Sequence, residues 1–346
     1  MIDKYLLSTP QERIELLDAV SKERGLAPSI LEMDYWVCKT LDVLFSLPGL
    51  GEHLVFKGGT SLSKVYGLID RFSEDVDVSF HREFLGFGEE HDPEAASGKE
   101  QARRIEALQQ ACKDCIRGTL LPALQSEMSN RLGGEDGWSM EIDSRDEQTI
   151  LFHFPQAGAQ GLAYITPSVR IELGARSDHW PMERHQILSY LSEALSRPIG
   201  GATVHALAAE RTFWEKATLL HAEAHRNPAN PMPARYARHY HDLARMAVAP
   251  VAERALADAE LRQRVVAHKS VYFRSGWARY DLAVPATFQL LPPAPRLAEL
   301  EADHRSMVQM FFTPPPPIAA VLETLATLQD RIRQLPWPTL RYSCQV

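Results

Sequence analysis

The stretch FKGGTSLSKVYGLIDRFSEDVDVSF, residues 56–80, decides how this chain is read. Two glycines close one short apolar run, and two aspartates stand one residue apart inside the next. Burying a carboxylate is costly unless it is hydrogen-bonded, paired or bound to a metal. In a strand, residues two apart share a face. EDVDVSF therefore sends Asp75 and Asp77 to one side and Val76, Val78 and Phe80 to the other. The valines can enter a core while both acids project into a common space. Two carboxylates so close repel one another unless a cation intervenes. Magnesium suits that role, being commonly held by one or two carboxylates together with substrate phosphates. The competing reading is an edge strand whose acids simply face water.

The glycines add the second half of a site. Gly58 and Gly59 end the strand HLVFKGG and lead into the helix SLSKVYGLI, with Thr60 or Ser61 placed to cap it. Glycine lets backbone approach a bulky anion, and the free N–H groups of a helix start attract phosphate. Lys57 and Lys64 bring positive charge nearby. A third acid stands in SVRIELGAR, where Glu172 alternates with Val169, Ile171 and Leu173. If this strand lies beside EDVDVSF, Glu172 completes the metal site or takes a proton from an attacking hydroxyl. Otherwise it pairs with Arg170 or Arg176 on an exposed face.

Outward from this centre, residues 10–46 carry apolar side chains at helical intervals (Ile14, Leu17, Val20, then Ile30, Tyr35, Val37, Leu41). Residues 85–98 read as a loop and 99–131 as a long helix. WSMEIDS, TILFHFP and AYITPSVRIELGA read as strands, as does the short TVHAL. From residue 208 onward the pattern is helices broken by proline, among them AAERTFWEKATLLHAEAHR and RYARHYHDLARMAV. The proline run in FFTPPPPIAAVLETLATLQDRIRQL reads as a helix breaker and rigid spacer, with a polyproline ligand as the alternative. The expected fold is α+β: a mixed-sheet core over residues 1–203 with N-terminal helices, then a helical domain over 204–346.

Composition narrows the classes. At 346 residues with 45% hydrophobic and 24% charged side chains, the chain can bury a substantial core. It shows no secretory h-region and no run long enough to span a bilayer, which implies the cytoplasm. The net charge of −8 argues against nonspecific coating of nucleic acid, and leaves room for a local basic patch. Arg235, Arg238 and Arg245, interleaved with Tyr236 and Tyr240, are the best such patch, although a run of this kind is also an ordinary solvated helix face. Cys112 and Cys115 form a CxxC on a helical pattern without a second pair, so two reduced thiols are expected rather than zinc. His221 and His225 lack the glutamate placement of a zinc protease helix.

FKGGTSLSK followed by RFSEDVDV resembles the signature of the AbiEii/AbiGii-type nucleotidyltransferases, within the DNA polymerase beta-like superfamily. ERTFWEKATLLH and RHYHDLARM are similar to the group's second signature. The resemblance implies a palm-like sheet with Asp75 and Asp77 as magnesium ligands, and Gly58, Gly59 and Thr60 on a nucleoside triphosphate. Lys216 and Asp242 match positions that complete the family's active site. From the residues alone, Lys216 could instead pair with Glu215 or Glu223, and Asp242 with Arg238 or Arg245. The implied activity is transfer of a nucleoside monophosphate to an acceptor hydroxyl, RNA and the tRNA 3′ end foremost, by the toxin of a toxin–antitoxin pair with a cognate antitoxin. The alternatives are a nucleotide-binding protein that acts through a partner without turnover, and transfer to a protein side chain.

Overall fold

A computed structural model describes residues 4–73, 75–95, 97–158, 167–197 and 199–336. The chain forms two compact units. One runs to Ala208 and takes in residues 309–313; the other begins at Ala209 and resumes at Pro314. The expected boundary at 203/204 falls inside the last strand of the first unit, because that strand, Gly201–Leu207, must be completed before the chain can leave the sheet.

The first unit is built on seven strands: β1 (Leu54–Lys57), β2 (Asp75–Phe80), β3 (Ser139–Asp143), β4 (Asp146–His153), β5 (Val169–Gly174), β6 (Met182–Leu188) and β7 (Gly201–Leu207). Their order is β3-β4-β5-β2-β1-β7-β6, with β2 parallel to β5, β1 parallel to β7 and the other pairs antiparallel. One face of this sheet is continuous core: Leu54, Phe56, Val76, Val78, Phe80, Ile150, Phe152, Val169, Ile171 and Val204 are all buried. Each such side chain contributes roughly 1.5–3 kcal/mol on leaving water, so the alternation in β2 and β5 fixes which way their acids point.

Among the described residues this unit has seven α-helices: α1 (Lys4–Leu7), α2 (Pro10–Arg24), α3 (Pro28–Ser46), α4 (Gly58–Lys64), α5 (Gly98–Cys115), α6 (Leu121–Leu132) and α7 (Tyr190–Leu195). A capping box of Thr9 and Glu12 starts α2, and Gly25 in the left-handed conformation ends it. α3 is buried along most of its length and packs against β2, β5 and β7. The expected long helix after residue 98 is α5 and α6 joined by a π-turn at Ile116–Leu120. The expected loop at 85–98 holds two short 3₁₀ turns. Residues 163–166 of the expected strand before Pro167 lie outside the described residues.

Two features differ from expectation. α4 starts at Gly58 with Lys57 as its extended cap residue, so Thr60 and Ser61 sit inside the first turn and cap nothing. Their hydroxyls donate instead to backbone carbonyls, Thr60 to Ser73 and Asp75, and Ser61 to Gly58. The second is β6, whose sequence MERHQIL shows no apolar alternation. As an edge strand with only Ile187 buried, it needs none.

The second unit is helical: α8 (Ala209–Ala224), α9 (Ala237–Ala247), α10 (Pro250–Ala257), α11 (Ala259–Tyr272), α12 (Leu297–Ser306) and α13 (Ile318–Arg333). α8 packs on α9, α10 and α11, while α12 and α13 pack on α9. The buried Trp214 indole donates to the Ala255 carbonyl at 2.9 Å. Asp303 of α12 accepts from the backbone N–H groups of Arg235 and Ala237 at 2.6 and 2.7 Å, capping α9 from outside its own chain segment.

Candidate active site

The parallel register of β2 and β5 sets Asp75 beside Arg170 and Asp77 beside Glu172, and the antiparallel register of β1 sets Lys57 beside Asp77. Paired residues share a face, so Lys57, Asp75, Asp77, Arg170 and Glu172 all lie on the side of the sheet opposite the core. The three strands thus gather the acids that the period-two pattern picked out.

Two cations screen them. Lys57 Nζ lies 3.8 Å from Asp77 Oδ1, and Arg170 Nε lies 3.9 Å from Asp75 Oδ1. Both distances exceed hydrogen-bond length. Arg170 makes its short contact elsewhere, 3.0 Å from Asp143 Oδ2 on β3, with Glu172 Oε1 at 3.7 Å. Burial works against the guanidinium charge, but the Asp143 hydrogen bond, Glu172 and Asp75 outweigh it and hold Arg170 above its ordinary value. Arg170 is therefore the hub of this face. Sequence reading gave it only as a partner for Glu172 and missed Asp143, which stands three strands away from Asp77.

The glycine corner closes tightly on the acids. Gly58 has φ +81°, and a Cβ placed on it would come within 1.9 Å of Asp77 Oδ2. A Cβ on Gly59 would lie 2.8 Å from Arg71 Nη2 and 3.0 Å from Ser73 Oγ. Arg71 is buried, so a guanidinium backs the glycine corner; no periodicity in RFSED announces it. Among the described residues, no side chain caps the first turn of α4.

Lys64 does not join this face. Its ammonium lies 2.8 Å from Asp34 Oδ1 of α3, with both side chains 3% exposed, and 3.7 Å over the Tyr190 ring. Burial opposes the charge, but Asp34 outweighs it and keeps Lys64 protonated above the usual lysine range. Lys64 thus anchors α4 to the helices beneath the sheet.

The donor set fits magnesium in its two-carboxylate form, in which Asp75 and Asp77 would hold it from one strand face together with substrate phosphates. A three-acid form is not gathered. Among the described residues no group of three or more His, Cys, Asp or Glu stands where it could hold a metal ion, and Glu172 turns toward Arg170.

The second unit holds its own buried charge pair. Lys216 Nζ lies 2.9 Å from Asp242 Oδ2 and 3.5 Å from His239 Nδ1, and His241 Nδ1 is 3.8 Å from Asp242 Oδ1. Lys216 and Asp242 therefore partner each other. In the basic run of α9, the Tyr240 ring is buried and serves the core instead of a stacking surface, and the Tyr236 hydroxyl is 3.5 Å from the Leu219 carbonyl. His221 is also structural: Nε2 faces the Arg279 carbonyl at 3.0 Å, and Nδ1 accepts from the Gln289 N–H at 3.1 Å. Cys112 is buried against the Gln148 amide.

Residues 39–330 match the family described as nucleotidyl transferase AbiEii toxin of type IV toxin–antitoxin systems. The fold is similar to that of MenT4, a nucleotidyltransferase toxin from Mycobacterium tuberculosis H37Rv, with a TM-score of 0.52 at 19% identity, covering 92% of this chain and 90% of that one. No curated protein matches the chain. No helix among the described residues is long and apolar enough to cross a membrane.

Proposed function

The chain belongs to the AbiEii family of nucleotidyl transferase toxins, and from that premise we propose a magnesium-dependent transfer of a nucleoside monophosphate from a nucleoside triphosphate to an RNA hydroxyl, the tRNA 3′ end foremost. Membership makes it a nucleotidyltransferase toxin of a type IV toxin–antitoxin system; the cytoplasm and a cognate antitoxin complete the reading.

The observation that carries it is the contact between the Asp77 carboxylate and the Gly58 backbone. It sets the glycine corner against the acid pair on one sheet face. In this reading the N–H groups of Gly58, Gly59 and Thr60 hold the β- and γ-phosphates, with Lys57 and the Arg71 charge behind them. Asp75 and Asp77 would hold magnesium, which would supply charge neutralisation for the phosphates. Glu172 accepts the proton of the acceptor hydroxyl as its oxygen attacks the α-phosphorus and pyrophosphate leaves. Lys216 and Asp242, which partner each other in the second unit, are the further pair that the family resemblance assigns to the reaction. Lys64 acts through α4 and touches no nucleotide.

The test incubates purified protein, magnesium and each labelled triphosphate with total RNA and, separately, with cell protein. Label in RNA supports the reading. Label only in protein moves the acceptor to a side chain, and bound triphosphate with no transfer at all supports binding without turnover.

A further inference from the structure

The segment 175–181 leaves β5 after Gly174 and must reach Met182 on β6, the far edge of the sheet. β2, β1 and β7 lie between, so it crosses roughly 19 Å of sheet at about 4.8 Å per strand. Eight residue steps reach at most about 28 Å. The segment therefore crosses the sheet as a short strap, bending at Ala175 and Ser177. Its face is fixed by His179, whose Nε2 lies 3.0 Å from Ser79 Oγ and whose ring lies 4.4 Å from that of His81. Ser79 follows Asp75 and Asp77 on the same face of β2, and the His81 N–H continues that ladder by donating to the His53 carbonyl. The strap lies on the acid-bearing side.

It completes a row of rings. His179 meets His81, His81 meets His53 at 6.5 Å, and His53 stacks on Phe84 at 4.4 Å. Next to His179, Trp180 keeps 46% of its surface exposed. A cationic group lies on the same sheet face: Arg184 is exposed and pairs across β6 and β7 with His205. A large exposed ring beside a cationic group suits an unstacked base and its phosphate. The row begins one same-face step, about 7 Å, beyond Asp77. A strand whose terminal hydroxyl reaches the carboxylates would run onto it.

We propose that the strap, backed by its packed histidine row, forms a stacking shelf for the single-stranded end of the acceptor RNA, with Trp180 as the platform. This rests on the reading of RNA as acceptor. A duplex, whose bases present no free face, is a poor occupant.

The test measures anisotropy of a labelled single-stranded RNA oligonucleotide of mixed sequence, without triphosphate, on the full chain and on Trp180→Ala and Trp180→Phe. Trp180→Ala should weaken binding about tenfold, within the range for one lost base stack. Trp180→Phe should stay within about threefold, and affinity for a non-hydrolysable triphosphate should not change. Equal oligonucleotide affinity across the three proteins, or equal binding of the matching duplex, overturns the shelf. So does Trp180→Ala releasing the antitoxin while RNA affinity holds, which would assign the strap to protein recognition. If the native chain binds the oligonucleotide through Trp180 yet transfers no nucleotide to it, the acceptor reading falls and the shelf's RNA binding stands.

Discussion

The Asp77 carboxylate occupies the space that a side chain on Gly58 would need: a Cβ there would lie 1.9 Å from Oδ2 and 2.6 Å from Cγ. Gly58→Ala must therefore turn Asp77 out of place, on top of holding an alanine at φ +81°, which costs about 1–2 kcal/mol. Gly133 separates the two effects, because its φ is +77° but nothing lies within 4 Å of its Cβ position. Both variants should melt a few degrees lower. Only Gly58→Ala should lose nucleotidyl transfer, by 100-fold or more; equal activity in the two would mean that the contact has no catalytic consequence.

The Lys64–Asp34 pair makes a contrasting demand. Lys64→Met leaves the Asp34 carboxylate buried without its ammonium, a loss of about 3–5 kcal/mol. The double variant Lys64→Met/Asp34→Asn should recover part of it, since the amide oxygen can still accept from the Tyr190 N–H. Urea midpoints read the stability and calorimetry reads triphosphate affinity. Weakened triphosphate binding in a fully stable Lys64→Met protein would put Lys64 back among the nucleotide ligands.

Lys216 and Asp242 should couple by about 1–3 kcal/mol in a double-mutant cycle of Lys216→Met and Asp242→Asn, because the acid is fully buried. The folded double variant should still have lost transfer at least 100-fold. Transfer retained there would make the pair structural alone.

Acid should loosen the second unit through His221, whose imidazole burial pushes down from 6.5 to about 4. A histidine with a depressed folded value binds its proton more readily once unfolded. Stability is therefore full above about pH 6.5 and falls as pH drops toward 4. The loss should approach roughly 3 kcal/mol. Urea midpoints between pH 7.5 and 4.5 should fall less steeply in His221→Gln; parallel slopes would place the titration elsewhere.

Period two made β2 and Glu172 legible in the sequence, because one buried face leaves the other no choice of direction. The glycine pair marked the corner for the same reason: only its backbone could sit so close to an acid. What escaped is what depends on register and edges. Asp143 reaches Arg170 only through the pairing of β3, β4 and β5, and Arg71 turns inward from an irregular loop. β6 needed no apolar pattern at the sheet edge. Lys64 read as a phosphate ligand because charge near glycines says nothing about which side of a seven-residue helix carries it; Asp34, thirty residues earlier, decides that.

Asp77→Asn tests the central claim most directly, because it removes the charge while keeping the shape beside Gly58. Labelled-nucleotide transfer and equilibrium binding of a non-hydrolysable triphosphate with magnesium are measured on the same folded protein. Transfer lowered by 1,000-fold or more, with an unchanged melting temperature, is the expected result. Transfer at the native rate would contradict the account outright.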